Sequence, residues 1–281
     1  MTVKVVTGSV ADLPSEMARE LGITVIPLNV RFGTETYRDG VDLTTEEFYR
    51  KLETSSVLPK TSAPGAGIVA EVFDRLAQET NEILVISLSQ KFSAFYQVAL
   101  QGIELMKRKC QVMVVDSRTA IMGQGFLVIE AAKEALSGAN LHQIVDKVCK
   151  RIDLVHIRAT MDTLKYLAMG GRIGKAQALF GAMLRINPIL GIKDGEAFPF
   201  GRERSRAKAT EVLYKFATSF TNVKSLTVEY ALNQDEAKIL AKRITAVFSK
   251  IPLYISMVSP VVGTHTGPNV LSVSVLEAEK K

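Results

Sequence analysis

The chain has 281 residues, 47% hydrophobic, 23% charged and 7% aromatic, with 19 Gly and 9 Pro. Such values exclude disorder, collagen-like repeats and coiled coil as the main architecture, and the length favours two domains over one. Net charge is +6 and uneven: residues 1–150 hold 16 Lys and Arg against 18 Asp and Glu, whereas residues 151–281 hold 19 against 11.

In chain order, Val3–Thr7 reads as a strand, Ser15–Leu21 as a helix and Ile23–Val30 as a second strand. A helix starts at Thr44, where Thr44 and Glu47 have capping-box spacing ahead of Phe48 and Leu52. Ala66–Gln78 is helical, Ile83–Leu88 a strand, Phe92–Met106 a helix and Val112–Val115 a strand, with helices following at Met122–Leu136 and Leu141–Ile152. Near-continuous apolar strands alternating with helices are what a parallel sheet covered on both faces requires. Further on, Leu154–Thr160 reads as a strand, Asp162–Ala168 as a short helix and Ala176–Met183 as a helix. Pro188–Lys193 and Ala197–Phe200 flank Asp194-Gly195, a two-residue hairpin signal. A helix over Arg206–Phe220, a strand over Leu226–Tyr230, a helix over Asp235–Phe248 and strands over Leu253–Val258 and Val270–Leu276 complete the pattern. The expected fold is α/β in two domains. Residues 1–160 form a three-layer α/β/α domain on a parallel sheet, and residues 161–281 a basic, two-layer α/β domain on a mixed sheet.

Only Cys110 and Cys149 are present, so a disulfide framework is not expected. No apolar run approaches the roughly 20 residues of a bilayer-crossing helix. Met1-Thr2-Val3-Lys4 leads straight into a strand pattern without signal-peptide features, and the expected location is cytoplasmic. The basic second half suits an acidic partner or transient contact with an anionic membrane surface. No Lys/Arg run exceeds three residues and basic–aromatic alternation is missing, so nucleic acid is not an expected partner.

In open α/β sheets, ligands bind beyond the carboxyl ends of the strands. Here those ends carry hydroxyls: Thr7-Gly8-Ser9, then Ser87, Ser89 and Ser93, then Asp116-Ser117-Arg118-Thr119, with Thr61-Ser62-Ala63-Pro64-Gly65 before another helix. Each loop alone is explained by caps and turns, but together they make a polar crevice able to hold an anion. His142 reads as a surface residue and His156 as a structural one. His265 lies in the Gly/Pro-bounded loop Gly263–Pro268. Metal-ligand spacing, a nucleophile elbow, a Walker loop and a dinucleotide fingerprint are all missing. Met169–Lys175 and Gly201–Arg206 combine glycines with arginines that suit carboxylate or phosphate.

Taken in order, nine segments resemble the DegV family of bacterial lipid-binding proteins. They are Val6–Pro14, Thr61–Pro64, Leu88–Gln97, Val115–Ala120, Asp162–Leu167, Gly170–Gly174, Pro188–Leu190, Gly201–Arg204 and His265–Pro268. The resemblance implies one long-chain fatty acid held between two α/β domains, with no cofactor and no catalytic residue of the chain's own. A partner fatty acid kinase brings the ATP where phosphorylation occurs. By position, Thr61, Ser62 and Ser93 would bind the carboxylate, His265 would complete the polar end, and Arg172 and Arg202 would lie near the headgroup opening. Met161, Met169 and Met183 are candidates for the tunnel wall. The chain departs from the family pattern at Gly8, at Gly65 and at Ala94-Phe95, where Phe95 is expected to shorten or bend the tunnel. Two other readings stay open: a small-molecule phosphotransferase related to dihydroxyacetone kinases, and a lipid-sensing regulator.

Overall fold

A computed structural model of the chain describes residues 2–179 and 186–279. The elements of its first half are β1 (Lys4–Gly8), α1 (Ser15–Glu20), β2 (Thr24–Ile26), β3 (Asn29–Phe32), β4 (Glu35–Arg38), α2 (Thr45–Thr54), β5 (Lys60–Ser62), α3 (Ala66–Leu76), β6 (Glu82–Ser87), α4 (Phe95–Glu104), β7 (Gln111–Asp116), α5 (Ile121–Leu136) and α6 (Leu141–Arg151). Then follow β8 (Val155–Thr160), α7 (Lys165–Met169), β9 (Asn187–Lys193), β10 (Glu196–Glu203), α8 (Arg206–Thr218), β11 (Val223–Tyr230), α9 (Gln234–Val247), β12 (Leu253–Met257), α10 (Pro260–Thr266) and β13 (Leu271–Glu277). The α/β class expected from the sequence is what the chain adopts.

The first lobe is built on a parallel sheet of order β2-β1-β6-β7. Alternation along its strands sends Val6, Ile83 and Val85 to the side of α3 and α4. Val5, Leu84 and Ile86 go to the side of α5 and α6. Thr44 caps α2 through the reciprocal box with Glu47 (3.2 and 2.9 Å). The second sheet has order β10-β9-β8-β13-β11-β12, antiparallel except for the β11–β12 pair. Helices α8 and α9 cover one of its faces, and the other faces the first lobe. Asp194 (φ +53°) and Gly195 (φ +80°) close the β9–β10 hairpin with both central residues left-handed, as a primed turn requires.

Helix α5 is the wedge between the sheets. Thirteen of its sixteen residues are buried, Gln124 and Glu130 among them, so the helix is packed on nearly every side and has little solvent face. Two glycines permit the close approach: a Cβ at Gly123 would sit 2.6 Å from Ile157 Cδ1, and one at Gly125 2.7 Å from the Ala11 carbonyl oxygen.

The structure corrects several expectations. Ile23–Val30 is two strands, not one, because Pro27 has no N–H for a ladder. β2 stays in the parallel sheet, and β3 leaves it for an antiparallel sheet of order β4-β3-β5 that was not expected. The β3–β4 hairpin turns on Gly33 at φ +60°. Strand β8 hydrogen-bonds to β13 and β9, so it belongs to the second sheet, and a boundary after residue 160 cuts one strand too late. The helix expected over 176–183 is a 3₁₀ segment, Gly174–Leu179, as far as it is described; Met183 lies outside the described residues. Cys110 and Cys149 are both free. Among the described residues no helix is long and apolar enough to cross a membrane.

Candidate functional site

A cavity of about 380 Å³ lies between the lobes. The first lobe supplies Val10, Leu28, Leu88 and Ile121, and the second supplies Ile157, Ala159, Leu190 and Ile192 from the inner face of its sheet. Met161, Val261 and Ala197 complete an aliphatic wall. Thr61, Ser62, Ser93, Arg172 and His265 line the same cavity, so five of the six expected residues meet there.

Different elements bring these five together. Thr61 and Ser62 end β5, whose pairing to β3 (Val30 opposite Thr61) fixes their direction. Ser93 sits in the turn before α4, where its Oγ accepts the Phe95 N–H at 3.2 Å and keeps its own O–H free to donate. His265 is not in a loop: it lies in the last turn of α10, a helix that opens with Pro260 at its first position. Arg172 follows the Gly170-Gly171 break after α7, with Gly171 left-handed at φ +71°.

Their polar atoms form one connected group. His265 Nε2 and Thr61 Oγ1 are 2.8 Å apart. Arg172 Nε donates to the Phe92 carbonyl (3.0 Å), next to Ser93, and its Nη1 donates to the Gly170 carbonyl (2.6 Å). His265 Nδ1 is buried without a partner and packs on Gly170, where an added Cβ would lie 2.1 Å from it. Assigned from this network, the Nε2–H tautomer is favoured, because an unpartnered ring acceptor costs less than an orphaned N–H. In that tautomer His265 donates to Thr61 Oγ1 and leaves the threonine O–H free to point at a ligand. Burial, and then the nearby Arg172 charge, push the His265 pKa down to about 4, so the ring is neutral at pH 7. Among the described residues Arg172 has no acidic partner. The polar end therefore offers free hydroxyl donors and one uncompensated guanidinium.

Arg202 does not belong to the group. It is exposed on the edge strand β10, opposite Pro188 and past the bulge at Pro199–Gly201. Leu190, opposite Pro199, lines the cavity, and Arg202 stands two residues along that pair, opposite Pro188, without being a lining residue itself. Phe95 is fully buried in the core and not among the cavity's lining residues; its ring sits beside Gly8, 3.5 Å from where a Cβ would stand. Gly65 is the exposed N-cap position of α3. Of the departures, Gly8, Gly65 and Phe95 are not among the lining residues, whereas Ala94 is part of the cavity wall. Met161 lines the wall, whereas Met169 is exposed. His156 bonds Glu277 at 2.7 Å and stacks on Phe220, and His142 is exposed. Sequence reasoning missed the role of Gly170, whose missing side chain makes room for the His265 ring.

The fold has counterparts among known proteins. The family model described as "Uncharacterised protein, DegV family" matches residues 2–278. A DegV domain-containing protein of Halalkalibacterium halodurans is 37% identical over 280 residues, covering 97% of each chain. Among solved structures, DegV from Bacillus subtilis, described as a fatty acid binding protein, superposes with a TM-score of 0.90 at 29% identity, over 99% of this chain and 100% of that one. A DegV family protein from Thermus thermophilus, whose structure describes fatty acid binding, does so with a TM-score of 0.89 at 28% identity and the same coverage. The chain is a member of the DegV family.

Proposed function

We propose that this protein binds one long-chain fatty acid between its lobes and presents the carboxylate to a partner acyl-phosphorylating kinase. The observation that carries the reading is the unpaired Arg172 grouped with Thr61, Ser93 and neutral His265 in a cavity otherwise lined by aliphatic side chains. The fatty-acid-binding neighbours support it. Burying about 15 methylenes at roughly 0.8 kcal/mol each gives about 12 kcal/mol gross, before ordering costs. An ionised carboxylate loses several kcal/mol on leaving water, and hydrogen bonds to a charged group return about 1.5–3 kcal/mol each. Two hydroxyls and a guanidinium offset that loss.

The chain's own residues bind and orient; the kinase supplies the phosphoryl group. Ser62 and Ala94, exposed where they line the cavity, make the headgroup reachable from outside. Arg202, exposed and not among the cavity's lining residues, serves docking in this reading. Displacement of a fluorescent fatty acid by oleate tests the binding half. Arg202→Ala tests the other half: oleate binding stays at the wild-type level and acyl phosphate formation with the kinase and ATP falls at least tenfold. Failure to bind oleate overturns the whole proposal. Normal phosphorylation in the variant overturns the docking role alone.

A further inference from the structure

A second, smaller cleft of about 210 Å³ lies beyond the first cavity along the inner face of the second sheet. Two strands run from one space to the other. Along β8, Ala159 borders only the first cavity, Ile157 borders both, and Val155 borders only the cleft. Along β9, Leu190 borders only the first cavity, Ile192 borders both, and Asp194 only the cleft. The antiparallel register that sets Ala159 opposite Leu190 brings Ile157 level with Ile192. The two isoleucines therefore form one rung across the sheet, and that rung is a partition between the spaces. None of the five residues of the polar end borders the cleft.

The rung is held from several sides. Ile157 is buried, and its Cδ1 occupies the space left by the missing side chain of Gly123 on α5. Gly191, next to Ile192, packs so closely on β8 that an added Cβ would lie 2.4 Å from the Ile157 carbonyl oxygen. The tip of the β9–β10 hairpin is tied to the first lobe, where Ser89 Oγ donates to the Gly195 carbonyl at 2.6 Å. Side chains packed in this way do not yield to an extra methylene without cost. Beyond the rung the surroundings change. Ile152 and Val155 offer some apolar wall, but Arg118 pairs with Asp153 there, and Lys193 and Asp194 are exposed at the edge. A methyl end pushed among these groups would gain little burial and would strip water from charges.

We propose that the Ile157–Ile192 rung is the stop for the methyl end of the acyl chain, and so the residue pair that sets its length. The stop rests on the fatty acid binding proposed above, because it requires a carboxylate held at Thr61, Ser93 and Arg172. A chain anchored there lengthens only until its last carbon meets the two isoleucines. Up to that length each added methylene should tighten binding about fourfold, and past it affinity should fall.

Displacement of a fluorescent fatty acid by cis-monounsaturated acids of increasing length, from myristoleate through oleate to erucate, reads the limit. Ile192→Ala removes three carbons from the rung and joins the two spaces. It should tighten erucate relative to oleate at least tenfold. Ile192→Phe should do the reverse and weaken oleate relative to myristoleate at least tenfold. Ile192→Val, the mildest change to the fold, should move the limit in the same direction as alanine and by less. A thermal melt identifies the variants that fold. No binding by the wild type at any length overturns both the stop and the reading beneath it. Oleate binding by the wild type with the same length profile in every folded variant, or a shift to shorter chains in Ile192→Ala, overturns the stop alone.

Discussion

Gly170→Ala isolates the contribution of His265 without touching it. Gly170 has φ −76° and ψ −12°, a conformation that alanine adopts freely, so the backbone carries no penalty. The whole effect comes from the new Cβ, 2.1 Å from His265 Nδ1 and 2.7 Å from Cε1, where ordinary contact begins at 3.4 Å. The ring must withdraw by about 1.3 Å, the difference between those two distances. Its 2.8 Å contact with Thr61 does not survive a shift of that size in most directions. A hydrogen bond that serves a charged ligand is worth about 1.5–3 kcal/mol, so the dissociation constant for oleate should rise about 10- to 150-fold. Fluorescent fatty acid displacement measures this, with a thermal melt as the control for folding. Wild-type affinity in a variant that melts normally would refute the role given to His265.

Thr61→Ala combined with Ser93→Ala should melt as the wild type does and lose most of its oleate affinity, since these hydroxyls bond only His265 and a local amide; undiminished binding by displacement assay would move the headgroup site elsewhere. The His265 ring should titrate near pH 4 by NMR. Its folded pKa lies below the unfolded one near 6.5, so its contribution to stability is full above about pH 6.5 and lost as pH falls toward 4; a midpoint at or above 6 contradicts the burial argument. Glu229 behaves in the opposite sense. Burial raises its pKa to about 7 although Met122 N, Ser272 and Ser274 all donate to it. Stability from its protonated form is full below about 4.5 and lost as pH rises through 7. Glu229→Gln mimics that form and should raise the melting temperature at pH 8 by about 4 °C or more; a lower melting temperature there refutes it.

Elements with strong local signals were legible in the sequence. The Thr44–Glu47 box and the Asp194-Gly195 turn stand where their chemistry predicts, and the buried strands of the parallel sheet read directly as apolar runs. Short elements stabilised by distant partners were not. β4 and β5 are four and three residues long and are strands because β3 lies between them. α10 was hidden between glycines and prolines, although Pro260 marked its start. The candidate site was legible only through the resemblance, because no local spacing relates Thr61 to a histidine 204 residues away. Arg202 shows the limit of such a transfer: the motif Gly201-Arg202 is present, but the side chain is exposed and is not one of those that line the cavity. The burial of Asp12, Asp39 and Glu229 had no sequence signal, since each looks like an ordinary surface residue until the surrounding elements pack over it.

Native mass spectrometry of freshly purified protein tests the central claim most directly. The account predicts a single increment of about one long-chain fatty acid per chain, absent in the Thr61→Ala, Ser93→Ala double variant. A folded wild-type protein that runs at its bare mass, and stays there after incubation with oleate, would contradict it.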